Sequence, residues 1–324
     1  MKPFESFLAI EMEEYIQHRV SLGYNGRNQR SLLRPFDRYI KDNEYCWESV
    51  TPKLFLELRR KLKGESSTIN GILSGVRNFF QYLVHMDHYT HNPLRDLPAI
   101  KVGQYYPYIF SSEQIEELLL SIKARLPDNL QNDLERASVY LSIFLMAKCG
   151  LRISEPLRML VTQYCQNEGT IYIEKTKFQN DRLIPAPKSV LFEIEKFLIM
   201  RNPMNIKDKN PHLLVDQKQR PLSHNHIYEV FHQAVKDIGI NETKRKIGNI
   251  KFGPPTPHCL RHSFAVNTLN HIKERGESVW DALPILAIYM GHRKICSTTR
   301  YLTVLSAEHR QDLLDFFFPN QEIL

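Results

Sequence analysis

Two short motifs and one tyrosine in the last third of the chain constrain its fold more than any other feature. Residues 258–262 read His-Cys-Leu-Arg-His, residues 291–292 read Gly-His, and Tyr301 follows His292 by nine positions. A third motif, Gly-Leu-Arg-Ile-Ser-Glu, occupies residues 150–155, far upstream. Polar side chains that act on one substrate must lie in one site, so the fold has to bring these distant segments together.

The arginines and histidines of these motifs suit the handling of a phosphodiester. Its cleavage adds negative charge to the non-bridging oxygens, and catalysis depends on positioning and on stabilising that charge. Arginine stays protonated, and its planar fork contacts two phosphate oxygens. Arg152 follows a predicted helix end at Gly150, and Arg261 shares a helix face with His258. His292, after an apolar helix, can donate a hydrogen bond to the same phosphate.

Tyr301 is the predicted nucleophile. A phenol has a pKa of about 10, so it needs a base or strong positive charge nearby to attack at neutral pH. His258 is the candidate base. Lys177, near a predicted hairpin turn, is the candidate that protonates the leaving 5′-oxygen, with Lys175 as a competitor. A phosphotyrosine ester would conserve the broken bond, so we expect no cofactor and no metal ion.

The composition favours a globular chain of two domains. With 324 residues, 42% of them hydrophobic, the chain is long enough for two cores. Lysine and arginine exceed aspartate and glutamate by 43 to 36, and the net charge of +7 suits a polyanionic partner. Five scattered cysteines argue against a disulfide framework and fit a reducing, cytoplasmic setting.

We expect no membrane partner for this chain. The N-terminus lacks a signal-type hydrophobic run. No stretch approaches the roughly 18 apolar residues of a membrane helix, and the most apolar one, 139–147, fits a buried core helix.

Hydrophobic periodicity predicts a mainly α fold with a small antiparallel β-sheet. Residues 1–103 form a helical N-terminal domain, residues 104–110 a linker marked by a proline, and residues 111–324 a mixed α+β domain. The predicted helices of the first domain are 4–22, 27–41, 52–63 and 66–86. In the second domain we predict strands at 157–164, 170–174 and 181–186, and helices at 133–149, 188–201, 223–238, 260–273, 281–290 and 306–317.

In this order and at these spacings, the motifs resemble those of the tyrosine recombinases of the phage integrase and Xer family, over residues 111–318. The resemblance implies a helical core-binding domain that clamps DNA and a catalytic domain with a C-terminal helix. It implies a site-specific recombinase or integrase of a mobile genetic element, which cuts and rejoins double-stranded DNA through a 3′-phosphotyrosyl link as a tetramer on DNA. The catalytic roles would fall to Arg152, Lys177, His258, Arg261, His292 and Tyr301.

Two further residues are expected to support this site. The resemblance implies that Glu155 buttresses it, and His262 fits a structural role better than direct contact with the phosphate. Zinc half-sites are weaker interpretations, since neither His224 with His226 nor Cys259 with His262 has a second ligand pair at zinc spacing.

Two basic segments remain open between DNA contact and a solvated surface. Phosphate contacts of this type give salt-sensitive, sequence-independent affinity. The residues concerned are Arg59, Arg60 and Lys63 on the third helix, and Lys244, Arg245 and Lys246 in segment 239–256. The apolar stretch 313–318 also stays open, between packing on its own domain and docking into a neighbouring subunit.

Two alternative functions share this motif set. A type IB topoisomerase-like enzyme would relax supercoils without exchanging DNA partners, so a two-site product separates it from a recombinase. A catalytically silent, recombinase-derived DNA-binding protein would bind without cleaving. The six intact candidate residues argue against the silent protein, because lost activity usually leaves a gap in such a set.

Overall fold

The computed structural model describes residues 2–126, 134–174, 181–204 and 210–306. It consists of two compact units, Met1–Gly103 and Gln104–Leu324. Each unit has a hydrophobic core of its own, as expected for a chain of this length. Within the described residues, no helix is long and apolar enough to cross a membrane.

The first unit is built on four helices, α1 (Ala9–Ser21), α2 (Gly26–Asp42), α3 (Pro52–Lys61) and α4 (Ser66–His85). The Asn25 side chain caps α2 by accepting hydrogen bonds from the first backbone N–H groups of that helix. Pro52 occupies the first turn of α3, where its missing N–H costs nothing. All four predicted helices are confirmed, with ends that differ by a few residues.

The second unit is mainly helical. Its helices are α5 (Ser112–Ala124), α6 (Leu134–Cys149), α7 (Lys188–Met204), α8 (His224–Asp237), α9 (Pro257–Glu274), α10 (Val279–Met290) and α11 (Cys296–Ser306). Almost every residue of α6 is buried, which explains why its sequence is apolar on all faces. It packs against α5, α7, α8 and α9, so the prediction of a buried core helix at 139–147 is confirmed.

The described residues of the second unit include two small three-stranded sheets. In one, β3 (Thr170–Ile173) pairs antiparallel with both β2 (Tyr164–Cys165) and β4 (Arg182–Pro185). In the other, β6 (Ile250–Phe252) lies between β1 (Gln104–Tyr106), which is parallel to it, and β5 (Arg245–Ile247), which is antiparallel. The predicted pairing of the strands at 170–174 and 181–186 is confirmed.

The predicted strand at 157–164 is wrong for most of its length. Two short 3-10 turns occupy this segment, and a strand begins only at Tyr164. Leu157 and Met159 are buried while Arg158 between them is exposed. Burial therefore alternates along this turn as it does along a strand. The prediction of a strand depended on that alternation.

Three short strands lie where none was predicted. β1 falls within the segment taken as a linker, 104–110, and β5 with β6 falls within 239–256, which was interpreted as a loop or insertion. Strands of three residues depend on partners that are distant in the sequence, so local patterns do not specify them. Residues 307–324, which include most of the predicted helix at 306–317 and the apolar stretch 313–318, lie outside the described residues.

Candidate active site

The ends of two helices and one face of a third form the floor of the candidate site. Gly150 follows α6 and Gly291 follows α10, and both adopt left-handed backbone conformations, with φ of 60° and 64°. Glycine accepts this conformation without steric cost, so each helix can stop there. α9, which carries residues 258–262, packs against α6, α10 and α11. The three sequence motifs and Tyr301 are thereby brought together.

Arg261 is the most deeply buried charged residue of this site, with 1% of its surface exposed. Its guanidinium group donates to the carbonyl of Gly150, at 2.6 Å, and to the carbonyl of Met290. Both acceptors lie at helix C-termini, where the partial negative charge favours a cation. Burial, with the nearby charge of Arg152, lowers the pKa of Arg261 to about 9, so the side chain remains protonated at neutral pH.

Three consecutive carbonyl groups at the end of α10 hold three different arginines. The carbonyl of Tyr289 accepts from Nε of Arg182 at 2.7 Å, and that of Met290 accepts from Arg261. The carbonyl of Gly291 accepts from Nη2 of Arg152 at 3.0 Å. One helix end therefore fixes the positions of all three guanidinium groups.

Glu155 joins two of these arginines from the other side. Its carboxylate accepts from Nη1 of Arg152 at 2.9 Å, and from both Nη atoms of Arg182 at 3.1 and 2.9 Å. Burial raises the pKa of Glu155, but the hydrogen bonds and charge of Arg182 outweigh this effect and lower the pKa overall. An ionised Glu155 thus orients Arg152, as the family resemblance implies for a buttress.

Tyr301 lies on α11 and is buried, with 5% of its surface exposed. Its hydroxyl oxygen is 3.2 Å from Nδ1 of His262, and its ring stacks on that of His292 with centroids 6.2 Å apart. Burial raises the pKa of Tyr301, and the charges of Arg261 and Arg152 oppose that rise only in part. The phenol is therefore protonated at neutral pH and must lose a proton before it can attack.

The histidines of the site are neutral at physiological pH. Burial lowers the pKa of His262 to about 3 and that of His292 to about 4, and the charge of Arg261 acts in the same direction. The pKa of His258 is also lowered, first by burial and then by the arginines. The His258 ring meets the His262 ring edge-on, with centroids 4.6 Å apart.

A threonine sets the orientation of His292. Nδ1 of His292 is 2.8 Å from the hydroxyl oxygen of Thr298, which is fully buried at the start of α11. If the hydroxyl donates to Nδ1, the proton of the neutral ring lies on Nε2. That nitrogen is then a hydrogen-bond donor for an anion, which is the role predicted for His292.

The histidine in contact with the Tyr301 hydroxyl is not the predicted base, His258, but its neighbour His262. His262, one helical turn beyond His258 on α9, is the histidine within hydrogen-bond distance of the Tyr301 hydroxyl. His258 is exposed on the open side of the site, and its described ring contact is with His262. His262 therefore takes the position next to the nucleophile that the sequence analysis gave to His258.

The structure leaves some predicted residues untested and adds others. Lys177 and Lys175 lie outside the described residues. Arg182 and Thr298 contact the site but were not predicted to do so. A signal existed for Arg182: strand alternation puts it on the same face as the buried Ile184, and an arginine at an inward-facing strand position needs a partner there.

The candidate DNA contacts have separate surroundings in the two units. Arg60 and Lys63 are exposed at the end of α3, and Arg59 donates to the carbonyl of Pro98 at 3.1 Å. Lys244, Arg245 and Lys246 are exposed at the start of β5. These basic residues therefore project from a helix end in the first unit and from a paired strand in the second.

Comparison with known protein families identifies the family of this chain. The model of the phage integrase family matches residues 110–308. The chain is 28% identical over 306 residues to the putative integrase/recombinase y4rE of Sinorhizobium fredii, which covers 94% of each chain. It is 25% identical over 311 residues to the tyrosine recombinase XerD of Halalkalibacterium halodurans, which covers 93% of this chain and 94% of that one.

Solved structures share the fold. A lambda integrase(75-356) dimer bound to a COC' core site matches with a TM-score of 0.65 and 17% identity, over 90% of this chain and 96% of that one. The XerH site-specific recombinase in a pre-cleavage complex with its difH substrate matches with a TM-score of 0.63 and 19% identity, over 92% and 83% of the two chains. The described helices and sheets thus form an architecture already seen in other chains.

Proposed function

Since the chain belongs to the phage integrase family, we propose that it is a site-specific DNA recombinase that cuts and rejoins double-stranded DNA through a 3′-phosphotyrosyl link to Tyr301. One observation carries this proposal. The Tyr301 hydroxyl lies beside His262, in the field of Arg261 and Arg152. A phenol in such surroundings has both a neighbour that can take its proton and fixed charges for a phosphate.

The scissile phosphate binds to groups that the fold holds in place. Arg152 uses two of its five N–H groups on Glu155 and Gly291, and three remain for phosphate oxygens. Arg261 likewise uses two on backbone carbonyls. His292 donates from Nε2, and His258 contributes from the open side of the site. Because these donors are fixed before DNA arrives, they stabilise the charge of the transition state without reorganising.

The chemistry exchanges one phosphoester for another. The Tyr301 oxygen forms a bond to phosphorus, the bond from phosphorus to the 5′-oxygen breaks, and the phenolic proton leaves to a base. Lys177, or Lys175, donates a proton to the departing 5′-oxygen. In the reverse direction the 5′-hydroxyl of a partner strand attacks the phosphotyrosine and releases Tyr301. The ester keeps the free energy of the broken bond, so rejoining needs no external energy source.

The rest of the chain serves DNA binding and assembly. Residues 1–103 act as the core-binding domain, with Arg59, Arg60 and Lys63 on the DNA backbone, and the catalytic domain contributes Lys244, Arg245 and Lys246. Among the structural relatives, lambda integrase is seen as a tetramer bound to a Holliday junction, and we propose four protomers on two duplexes here. The integrase names of the relatives favour a mobile genetic element acting on DNA in the cytoplasm.

Covalent capture tests this function. The protein is incubated with duplex oligonucleotides that carry a randomised centre and a nearby nick, so that the cleaved fragment diffuses away and the adduct persists. We expect protein–DNA adducts that survive denaturation, and sequencing of their DNA identifies the target. Tyr301→Phe lacks the attacking oxygen and is expected to form no adduct while still retaining DNA in a native gel. An adduct formed by Tyr301→Phe overturns the assignment.

The same reagents separate the alternatives. A recombinase joins two plasmids that carry the captured sequence, whereas a type IB topoisomerase-like enzyme relaxes them without a two-site product. A silent DNA-binding protein retains the duplex in a gel but forms no adduct with any member of the library. Either of these two results contradicts the proposed function.

A further inference from the structure

Acid–base chemistry favours one direction for the hydrogen bond between Tyr301 and His262. Phenols donate hydrogen bonds better than they accept them, and an unprotonated imidazole nitrogen is a good acceptor. At 3.2 Å, with both groups neutral, the favourable arrangement has the Tyr301 hydroxyl donating to Nδ1. His262 then carries its own proton on Nε2. The lone pair of Nδ1 is thus aimed at the one proton that Tyr301 must lose.

We propose that His262 is a catalytic residue, which accepts the phenolic proton of Tyr301 at Nδ1 while the phenolic oxygen attacks phosphorus. This inference rests on the proposed function of Tyr301. In the step, the O–H bond of Tyr301 breaks, an N–H bond forms at Nδ1, and the imidazole becomes a cation. When a 5′-hydroxyl later attacks the phosphotyrosine, the imidazolium returns its proton to the departing phenolate.

The arrival of DNA lowers the free-energy cost of this transfer. In the protein alone, His262 faces Arg261 and His258 on its own helix, His292 after α10 and Tyr301 on α11. The charge of Arg152, after α6, acts on Tyr301. Burial is the main cause of the low pKa of His262 before DNA binds, and the charge of Arg261 lowers it further. A bound phosphodiester adds a negative charge that offsets Arg152 and Arg261. An imidazolium then costs less, and it forms only when substrate is present.

His258 is left with a different task. Its ring is exposed and touches His262 edge-on, at 4.6 Å between centroids. From there it can reach a phosphate that enters from solvent, while His262 behind it reaches the nucleophile. We therefore expect substitution of either histidine to lower the rate of cleavage. Only in the His262 variant should that rate depend strongly on the acidity of the Tyr301 phenol.

The tautomer can be measured without any DNA. In ¹⁵N-histidine-labelled protein at pH 7.5, the His262 signals are assigned by their loss in His262→Asn. We expect an unprotonated Nδ1 and a protonated Nε2. A protonated Nδ1 means that His262 donates to Tyr301 and cannot take its proton, and this result overturns the proposal even if the protein cleaves DNA.

Cleavage kinetics give the second test, with the duplex recovered by covalent capture as the probe. Asparagine keeps a polar atom near the position of Nδ1 but cannot accept a proton. We expect His262→Asn to slow single-turnover adduct formation by about 100-fold or more, which is the range of general-base catalysis. Its residual rate should rise with pH, because only preformed phenolate reacts.

A change at Tyr301 itself separates proton transfer from simple positioning. Fluorinated tyrosine at position 301 loses its proton more easily and is expected to recover part of the rate in His262→Asn. The matched variant His258→Asn should be slower than the parent but gain no comparable recovery. If His262→Asn cleaves at the parent's rate, or if fluorination restores neither its rate nor its pH dependence, His262 is not the base. Absence of any adduct with the parent protein refutes the proposed function instead.

Discussion

The candidate site has an arginine half and a histidine–tyrosine half, and the two differ in how their side chains are held in place. On one side Arg152, Arg182 and Arg261 are fixed by backbone carbonyls and by the ionised Glu155. On the other side neutral histidines surround a protonated tyrosine, in contact through rings and single hydrogen bonds. The halves depend on each other, because the fixed cations help to keep the histidines neutral. A bound phosphate would therefore contact arginines that are held in fixed positions and histidines that are still unprotonated.

Removing the buried cation should break the arginine half most severely. Arg261→Ala deletes a phosphate donor and removes the guanidinium group that donates to the carbonyls of Gly150 and Met290. We expect adduct formation to fall by about 100- to 1,000-fold and the free energy of unfolding to fall by about 2–4 kcal/mol. Urea unfolding and covalent capture measure the two effects. Arg275→Ala, an exposed arginine at the end of α9, is the control, and similar losses in both variants would contradict the special role of Arg261.

Neutralising the shared carboxylate comes next. Glu155→Gln leaves Arg182 and Arg152 without their buried counter-charge, and we expect the free energy of unfolding to fall by about 3 kcal/mol. Since the folded pKa of Glu155 is below its ordinary 4.5, this stabilisation is fully present above pH 4.5 and is lost as pH falls through the folded pKa. Unfolding midpoints measured from pH 7 to pH 3 should fall for the parent, and less for Glu155→Gln. Parallel curves would exclude an ionised Glu155.

The histidine half should respond to acid at a higher pH. Folding lowers the pKa of His262 from 6.5 to about 3, so the unfolded chain binds a proton first. Stability that is present above pH 6.5 is therefore lost progressively as pH falls from 6.5 towards the folded pKa. His262→Asn should flatten the dependence of stability on pH between pH 7.5 and 5.5, whereas Glu155→Gln should lower stability there without changing that slope. A slope unchanged in His262→Asn would show that this histidine titrates normally.

A smaller change at the end of α10 tests how the arginines are positioned. Gly291→Ala requires a left-handed alanine, at a cost of about 1–2 kcal/mol, and its Cβ would lie 3.0 Å from a guanidinium nitrogen of Arg182. Gly276→Ala is the matched control, since that glycine has φ of 75° and nothing within 4 Å of an added Cβ. We expect both variants to lose stability, but only Gly291→Ala to lose cleavage rate as well. Equal rates in the two would mean that Arg182 adjusts freely.

The smallest expected effect concerns the orientation of His292. Thr298→Val keeps the shape of the side chain and removes the hydroxyl 2.8 Å from Nδ1. Loss of one such hydrogen bond costs about 1 kcal/mol, which corresponds to about fivefold slower cleavage. Thr299→Val removes the neighbouring hydroxyl, which donates to the carbonyl of Cys296, and should leave the rate unchanged. Equal losses in the two variants would remove Thr298 from the site.

Much of the fold could be predicted because its signals are local. The four helices of the first unit and the apolar core helix α6 follow from periodicity and caps, such as Pro52 at the start of α3. The strands β1, β5 and β6 could not be predicted, since each is three residues long and exists only through its partners. α11 escaped prediction for a similar reason, because its contacts with α9 and α10 are not visible in a local pattern.

In the candidate site, too, the residues marked by local motifs could be predicted and those positioned by distant contacts could not. Arg152, Arg261, His292 and Tyr301 could be named from motif spacing, and the structure brings them together. The sequence does not decide between His258 and His262, because the two lie one turn apart on the same helix. Only the position of α11 determines which of them lies next to the Tyr301 hydroxyl. Arg182 belongs to none of the motifs used to identify the site. Its position in the site results from the pairing of β3 with β4.

The carbonyl groups of residues 289–291 have a consequence for how this chain can vary. They are successive steps of one helix, so deleting or inserting a single residue in α10 would turn all three by about 100°. Each arginine would then face a different acceptor at once, and no single replacement could repair the set. The number of residues between Val279 and Gly291 therefore affects the positions of all three arginines at once.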